Sequence, residues 1–200
     1  YNMSRNKEPE IKVEEIEKIS ESQKVGESIE EPTKPTVDEL ARMAIMVREG
    51  MQAGALGFTT SRTYVHRTKA GAPLGTRFSS ADELLALCTA MAETGSGVVQ
   101  LISDAYLSAD KDFAVEEMKL MEAMARATGR PLSMTVQQPE PLPDRWREVG
   151  AWVDQGVSQG LPLSTQVAVR PIGVLLGLTA TVNPLLPCPS FVEIAGRPLN

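Results

Sequence analysis

Apolar positions along this chain follow two alternating patterns, one helical and one short and extended. Apolar residues recur at helical spacing in four stretches: residues 37–53, 81–94, 109–128 and 144–159. A glycine follows each stretch, and a short apolar run comes next, at 56–60, 97–102, 131–136 and 162–167. This repeated order of helix, glycine, strand and polar loop predicts four βα units with parallel strands.

Parallel strands this apolar need cover on both faces, which a barrel and a doubly wound sheet both supply. Four units make half of an eight-stranded barrel. No G-x-G-x-x-G follows a strand and no Walker loop is present, which disfavours nucleotide binding. We therefore predict an α/β fold, a partial (β/α)8 TIM barrel of about four βα units, with a small doubly wound binding domain as the alternative. An open half-barrel leaves two sheet edges and, we expect, an exposed apolar inner face, so self-association through the open edges is predicted.

Residues 1–35 differ from the rest of the chain. They hold nine glutamates and five lysines and have few apolar residues to bury. We predict a charged extension that is disordered or weakly helical, followed by the βα domain over residues 36–200. A partner-binding helix and a segment foreign to the domain are the alternatives for the extension. The chain begins with Tyr1 rather than Met, which suggests a fragment or a processed product.

The net charge and the cysteines indicate which classes of partner and which cellular compartment the sequence favours. The formal net charge is −6, which argues against nucleic acid or an anionic membrane surface as a partner. The polar first residues predict no secretory signal, and no apolar run reaches the ~20 residues that a spanning helix needs. Cys88 and Cys188 stand far apart and favour two unpaired thiols over a disulfide. These features predict a cytoplasmic protein.

Polar residues near the carboxyl ends of the predicted strands are the candidate site, because ligands of α/β proteins bind there. The candidates for substrate contact are Ser61, Arg62, His66, Gln100, Asp104 and Gln137. Ser61, Arg62 and His66 are predicted in a long loop, residues 61–79, of the kind that forms a lid or a substrate wall. Structural alternatives remain open for several of them: His66 as a surface or loop-packing histidine, Gln100 and Gln137 as satisfied core amides, and Asp104 as a capping or loop acid. His66 is the only histidine, so a metal role is disfavoured.

The order of several segments resembles one known family. The segments are GMQAGALGFTTSRTYVHRT, FSSADELLAL, GSGVVQLISD, GRPLSMTVQQ, PDRWREVGAWVDQG and GLPLSTQVAVRPIGVLLGL. Over residues 36–199 the chain resembles the D-aminoacylase-like branch (N-acyl-D-amino-acid deacylases) of the amidohydrolase superfamily. The resemblance implies a metal-dependent (β/α)8 hydrolase that cleaves carbon–nitrogen bonds other than peptide bonds, in N-acyl or cyclic amides, with an activated water. It also implies zinc or another divalent metal as cofactor and a small-molecule amide as substrate.

The chain departs from that family at the metal ligands. The family's His-x-His pair and the acid of its last strand are missing. Where D-aminoacylases have histidines after the second and third strands of this series, the chain has Gln100, Ser103 and Asp104, and then Gln137. No metal ligand is therefore assigned. The chain by itself is predicted to be inactive, with the absence of any bound metal as an alternative to the family's cofactor. A non-catalytic fragment or pseudo-enzyme is the alternative function.

Overall fold

The computed structural model describes residues 34–68, 72–170, 176–178, 180, 183, 185 and 188–197. The predicted extension, residues 1–35, lies outside the described residues except for its last two. The chain divides into two compact units, and the sheet lies in the unit Glu30–Gly173. A short helix, Pro189–Val192, belongs to the other unit.

The sheet has four parallel strands in the order of the sequence. They are β1 (Gly57–Arg62), β2 (Val98–Ser103), β3 (Leu132–Thr135) and β4 (Leu163–Gln166). Each strand pairs with the next along the chain. A doubly wound sheet reverses its strand order at a switch point, whereas a barrel adds strands consecutively. The described sheet therefore has the barrel type of connectivity, as the sequence predicts.

Four helices alternate with the strands. They are α1 (Val37–Gln52), α2 (Ala81–Ala92), α3 (Lys111–Thr128) and α4 (Arg145–Ser158). Helix α1 packs on α2, and α2 packs on α3. One apolar cluster joins helical residues such as Met91, Met121 and Val149 to the strand residues Leu101 and Met134. The helices and the strands thus share one core on a single face of the sheet.

The helix boundaries follow from short capping motifs. Thr36 and Glu39 form the predicted capping box at the start of α1, with each side chain accepting a hydrogen bond from the other residue's amide. Ser80 caps α2 by accepting a hydrogen bond from the amide of Glu83 at 3.2 Å. Gly129 ends α3 in the left-handed conformation, at φ 58°. These helix ends therefore follow from signals within a few residues of each boundary.

The second face of the sheet is polar, so the predicted exposed apolar inner face is wrong. Strand alternation places one side-chain set opposite the helices. Registered neighbours on that face are Thr59, Gln100, Ser133 and Ser164 in one row, and the next residues of that face pair as Ser61 with Ile102 and Thr135 with Gln166. Seven of these eight side chains are polar, and most are exposed or half-buried. This polar set makes the face suited to water or a polar ligand.

Strand β1 is longer than predicted. The sequence places Ser61 and Arg62 in a loop, but they pair with Ile102 and Ser103 as the last residues of β1. The pairing continues because β2 also extends to Ser103 and supplies the partners. As a result, the side chains of Ser61 and Arg62 stand on opposite faces of the sheet.

The two cysteines are free thiols, as predicted. Cys88 is buried in the core, and burial raises the pKa of its thiol to about 12. Cys188 is exposed. Among the described helices, none has the length and apolar character to cross a membrane.

Candidate substrate-binding cavity

A cavity of about 440 Å³ opens on the polar face, at the carboxyl ends of three strands. Cavities of this size suit small-molecule ligands. Its lining comes from β1, β2, β3 and the segment after β1: Thr59, Thr60, Ser61, His66, Leu74, Thr76, Gln100, Ile102 and Thr135. Seven of these nine residues carry a hydroxyl, carboxamide or imidazole group and none carries a carboxylate, so the cavity offers hydrogen bonds without a fixed negative charge.

Ser61 and His66 meet in this cavity. Ser61 Oγ lies 2.5 Å from Nδ1 of His66, five residues further along the chain. In the tautomer that carries its hydrogen on Nε2, the hydroxyl donates this bond to Nδ1. The Thr76 hydroxyl donates to the Ser61 carbonyl at 2.9 Å and ties the following segment to the strand. The end of β1 and the segment after it are therefore joined at two points around the cavity.

Arg62 lies on the opposite face, in a buried ion pair. Its Nε and Nη2 donate to the carboxylate of Glu117 on α3 at distances of 2.6 to 3.1 Å. Its Nη1 donates to the carbonyl of Ser79 at 2.7 Å. Ser103 at the end of β2 donates to Glu117 at 2.7 Å. This cluster joins β1, β2, α3 and the residue before the α2 cap, and so fixes the strand ends beneath the cavity.

Asp104 is buried beside the segment after β1. One carboxylate oxygen, Oδ2, accepts a hydrogen bond from the amide of Tyr64 at 3.0 Å and lies 3.9 Å from Nε of Arg77. Among the described residues, Oδ1 is buried and has no hydrogen-bond partner. Burial raises the pKa of this carboxyl, and the Glu117 carboxylate adds to the shift, against the lowering effect of Thr63, Tyr64 and Arg77.

Asp104→Asn is expected to change the pH dependence of stability. The pKa of Asp104 is higher in the folded chain than in the unfolded chain, where an unperturbed aspartate has a pKa of about 3.9. The carboxyl therefore stabilises the fold fully only at pH values below the unfolded-state pKa. This contribution is lost as the pH rises through the folded-state pKa. The unfolding free energy of Asp104→Asn relative to the parent should therefore increase from about pH 4 toward neutrality.

Chemical denaturation at a series of pH values measures this difference. Asp154→Asn is the control, because it removes a carboxylate that is exposed on α4 rather than buried. An Asp104→Asn difference that is flat or falls with pH would contradict the burial argument.

The six predicted site residues divide into two groups. Ser61, His66 and Gln100 line one cavity, so the structure brings these three together. Arg62 pairs with Glu117 on the other face, Asp104 is buried beside the segment after β1, and neither lines the cavity. Gln137 is half-buried after β3 and is also outside the lining. The role of all six in substrate contact stays a prediction.

Sequence reasoning missed Glu117, Thr76 and Thr135. A signal for Glu117 is present, since it occupies a position in the buried stripe of α3 formed by Ala114, Met118, Met121 and Met124. A charged residue in such a stripe predicts a buried ion-pair partner. Thr76 carries no such signal, because it lies in a single 3-10 turn, Gly75–Phe78, and reaches the cavity only through the tertiary fold.

The described residues do not fit a hydrolytic metal centre. Among residues 34–68, 72–170 and the described positions after them, no three His, Cys, Asp or Glu side chains cluster in a way that could hold an ion. The cavity lining offers one imidazole, and its other polar side chains are hydroxyls and a carboxamide. Hydrolytic zinc needs histidine, carboxylate or thiolate ligands, usually three with one open position.

Two solved structures are similar to this chain in fold. One is a point mutant of D-aminoacylase in complex with CuCl2, with a TM-score of 0.53. The other is D-aminoacylase, described as defining a novel subset of amidohydrolases, with a TM-score of 0.52. Both are 17% identical to the chain, and each match covers 70% of the chain and 27% of the solved structure. The chain thus spans 27% of the length of these structures.

No protein-family model matches the chain, and no curated protein matches it. The class that the fold defines is a partial (β/α) barrel of the kind found in D-aminoacylase. The predicted resemblance to the D-aminoacylase-like branch is thereby confirmed for the fold.

Proposed function

We propose that this chain supplies a substrate-binding wall of an amidohydrolase-type enzyme that acts on carbon–nitrogen bonds of small N-acyl or cyclic amides. The cavity at the carboxyl ends of β1, β2 and β3 is the observation that carries the proposal. The likeness of the fold to D-aminoacylase supports the reaction class. A metal-dependent reaction would need ligands beyond the residues described.

The lining of the cavity suits an amide ligand. The Gln100 carboxamide offers both a donor and an acceptor, which matches the carbonyl and the N–H of an amide. Ser61 and Thr135 add hydroxyls that can donate or accept. Leu74 and Ile102 offer apolar contact for a short acyl chain. A small neutral amide can therefore satisfy its polar groups at this site.

A non-catalytic amide-binding role is the second candidate. One observation favours it: the cavity has no lining carboxylate and only one imidazole. Binding without turnover is the outcome expected from this candidate.

Calorimetric titration with neutral N-acetyl-D-amino acid amides and a cyclic amide tests the proposal. We expect Gln100→Ala to weaken binding about tenfold, because it removes a hydrogen-bonding partner. Gln166→Ala is the matched control, since Gln166 lies on the same face outside the cavity lining. Absence of binding by every amide, or equal binding by Gln100→Ala, would refute the proposal.

Detection of free amine in the same samples, with and without added Zn²⁺, separates the two candidates. Release of amine supports the hydrolase, and binding without release supports the non-catalytic role.

A further inference from the structure

We infer that Ser61 and His66 form a nucleophile–base pair that accepts acyl groups from small activated acyl compounds without a metal. The inference deepens the proposed function, because it rests on the same cavity. A serine hydroxyl within hydrogen-bond reach of an imidazole is the arrangement that activates serine for attack on a carbonyl. The 2.5 Å contact between Ser61 Oγ and His66 Nδ1 provides it.

Both side chains of the pair can be reached by a ligand in the cavity. Ser61 is half-buried and His66 is exposed, and both line the cavity. The hydroxyl is therefore open to a small ligand on one side and held by the imidazole on the other. The hydroxyl of Ser133, which is buried on the same face of the sheet, has no such access.

The structure holds the pair in place from three directions. Thr76 donates to the Ser61 carbonyl, and Asp104 accepts from the Tyr64 amide two residues before His66. On the other face, Arg62 is fixed by Glu117. Asp104 and Glu117 are thus positioning residues for the strand end and the segment that carries His66. Such preorganisation lowers the entropy cost of reaching the reactive geometry.

The reaction follows from these positions. Ser61 Oγ attacks the acyl carbon and forms a C–O bond, while its proton passes to His66 Nδ1. The bond from the acyl carbon to the leaving group then breaks, and His66 returns the proton to that group. A water molecule then gives a proton to His66 and attacks the acyl carbon. The bond from that carbon to Ser61 Oγ breaks, His66 returns the proton to Oγ, and a carboxylic acid is released, which restores both side chains.

Gln100 is the donor in the cavity for the oxyanion that forms during attack. It lies on β2, and its registered partner is Thr59, two residues before Ser61 on the same face of β1. Its carboxamide N–H groups can donate to a developing negative charge. The cavity thus combines a nucleophile, a base and an oxyanion donor from two neighbouring strands.

Labelling of the purified chain with a fluorophosphonate tests the inference. Attack by Ser61 forms a P–O bond and breaks the P–F bond, with release of fluoride and of the serine proton. We expect one adduct in the intact mass and its location on Ser61 by peptide mapping. Ser61→Ala should abolish it, and His66→Ala should slow it about 10²-fold, as expected for loss of a general base.

Ser164→Ala is the matched control, since Ser164 is exposed on the same face outside the cavity lining, and labelling should not change. Circular dichroism verifies that each variant is folded. Absence of an adduct on Ser61 in the folded chain would overturn the inference, and so would equal labelling of His66→Ala. As a second readout, the thiol introduced by Ser61→Cys should react with iodoacetamide faster than Cys188, and it should lose that advantage when His66→Ala is added.

Failure of this inference and failure of the proposed function can be told apart. Amide binding without fluorophosphonate labelling removes the nucleophile and leaves the binding site. Labelling of Ser61 without amide binding supports the pair and removes the proposed substrate class.

Discussion

Glu117→Ala is expected to destabilise the sheet unit by about 3–5 kcal/mol, because it leaves a buried guanidinium without its counter-charge. The Arg62 and Glu117 side chains are only 14% and 6% exposed. The substitution also removes the acceptor of the Ser103 hydroxyl. Urea denaturation followed by circular dichroism measures the loss as a lower midpoint.

Two comparisons make this prediction specific. Glu116→Ala changes the adjacent residue, whose carboxylate forms only an exposed pair with Lys119, and should leave the midpoint unchanged. The double variant Arg62→Met, Glu117→Leu removes both charges together and should recover most of the lost stability. A Glu117→Ala midpoint equal to that of the parent, or a double variant no more stable than Glu117→Ala, would contradict the assigned cost of the unpaired charge.

The order of elements could be predicted from the sequence because local signals determine it. Capping residues such as Thr36 and Ser80 and the glycine after each helix act within a few residues of themselves. Apolar spacing then separates helices from strands. The end of β1 was predicted two residues early because polar residues there suggest a loop. Pairing with β2, a long-range effect, decides the strand end.

The candidate site could be predicted only in part. Its location at the carboxyl ends of the strands follows from the fold class. That location is the reason that Ser61, His66 and Gln100, which line the cavity, could be predicted as candidates. The direction of each side chain depends on strand register, which the sequence does not give. Ser61 and Arg62 are adjacent in sequence, yet one faces the cavity and the other a buried carboxylate.

Because Ser61 and Arg62 face opposite sides of β1, the buried ion pair of Arg62 also affects the position of Ser61 in the cavity. The Arg62–Glu117 pair fixes the last residue of β1 from the helical face, and Ser61 precedes it on the cavity face. Movement of Arg62 would therefore shift the Ser61 hydroxyl relative to His66. A buried ion pair is a weak source of net stability, but it specifies one arrangement of the strand ends. We infer that its main contribution here is to geometry.

Gly57→Ala is expected to destabilise the sheet unit by about 3 kcal/mol, at the upper end of the cost of overpacking. Gly57 begins β1 and is registered with Val98 at the start of β2. A Cβ at this position would overlap the Val98 carbonyl oxygen and lie 2.7 Å from the Val98 nitrogen. These are backbone atoms of the neighbouring strand, so relief requires the two strands to separate.

Gly50→Ala is the matched control, because Gly50 lies within α1 and a Cβ there meets nothing within 4 Å. It should raise the unfolding free energy by up to about 1 kcal/mol through helix propensity. The two alanine variants should therefore move the urea midpoint in opposite directions. Separation of β1 from β2 also displaces Ser61 from Gln100, so Gly57→Ala should slow fluorophosphonate labelling while Gly50→Ala does not. A Gly57→Ala chain as stable as the parent would show that β1 and β2 can separate without cost at this point.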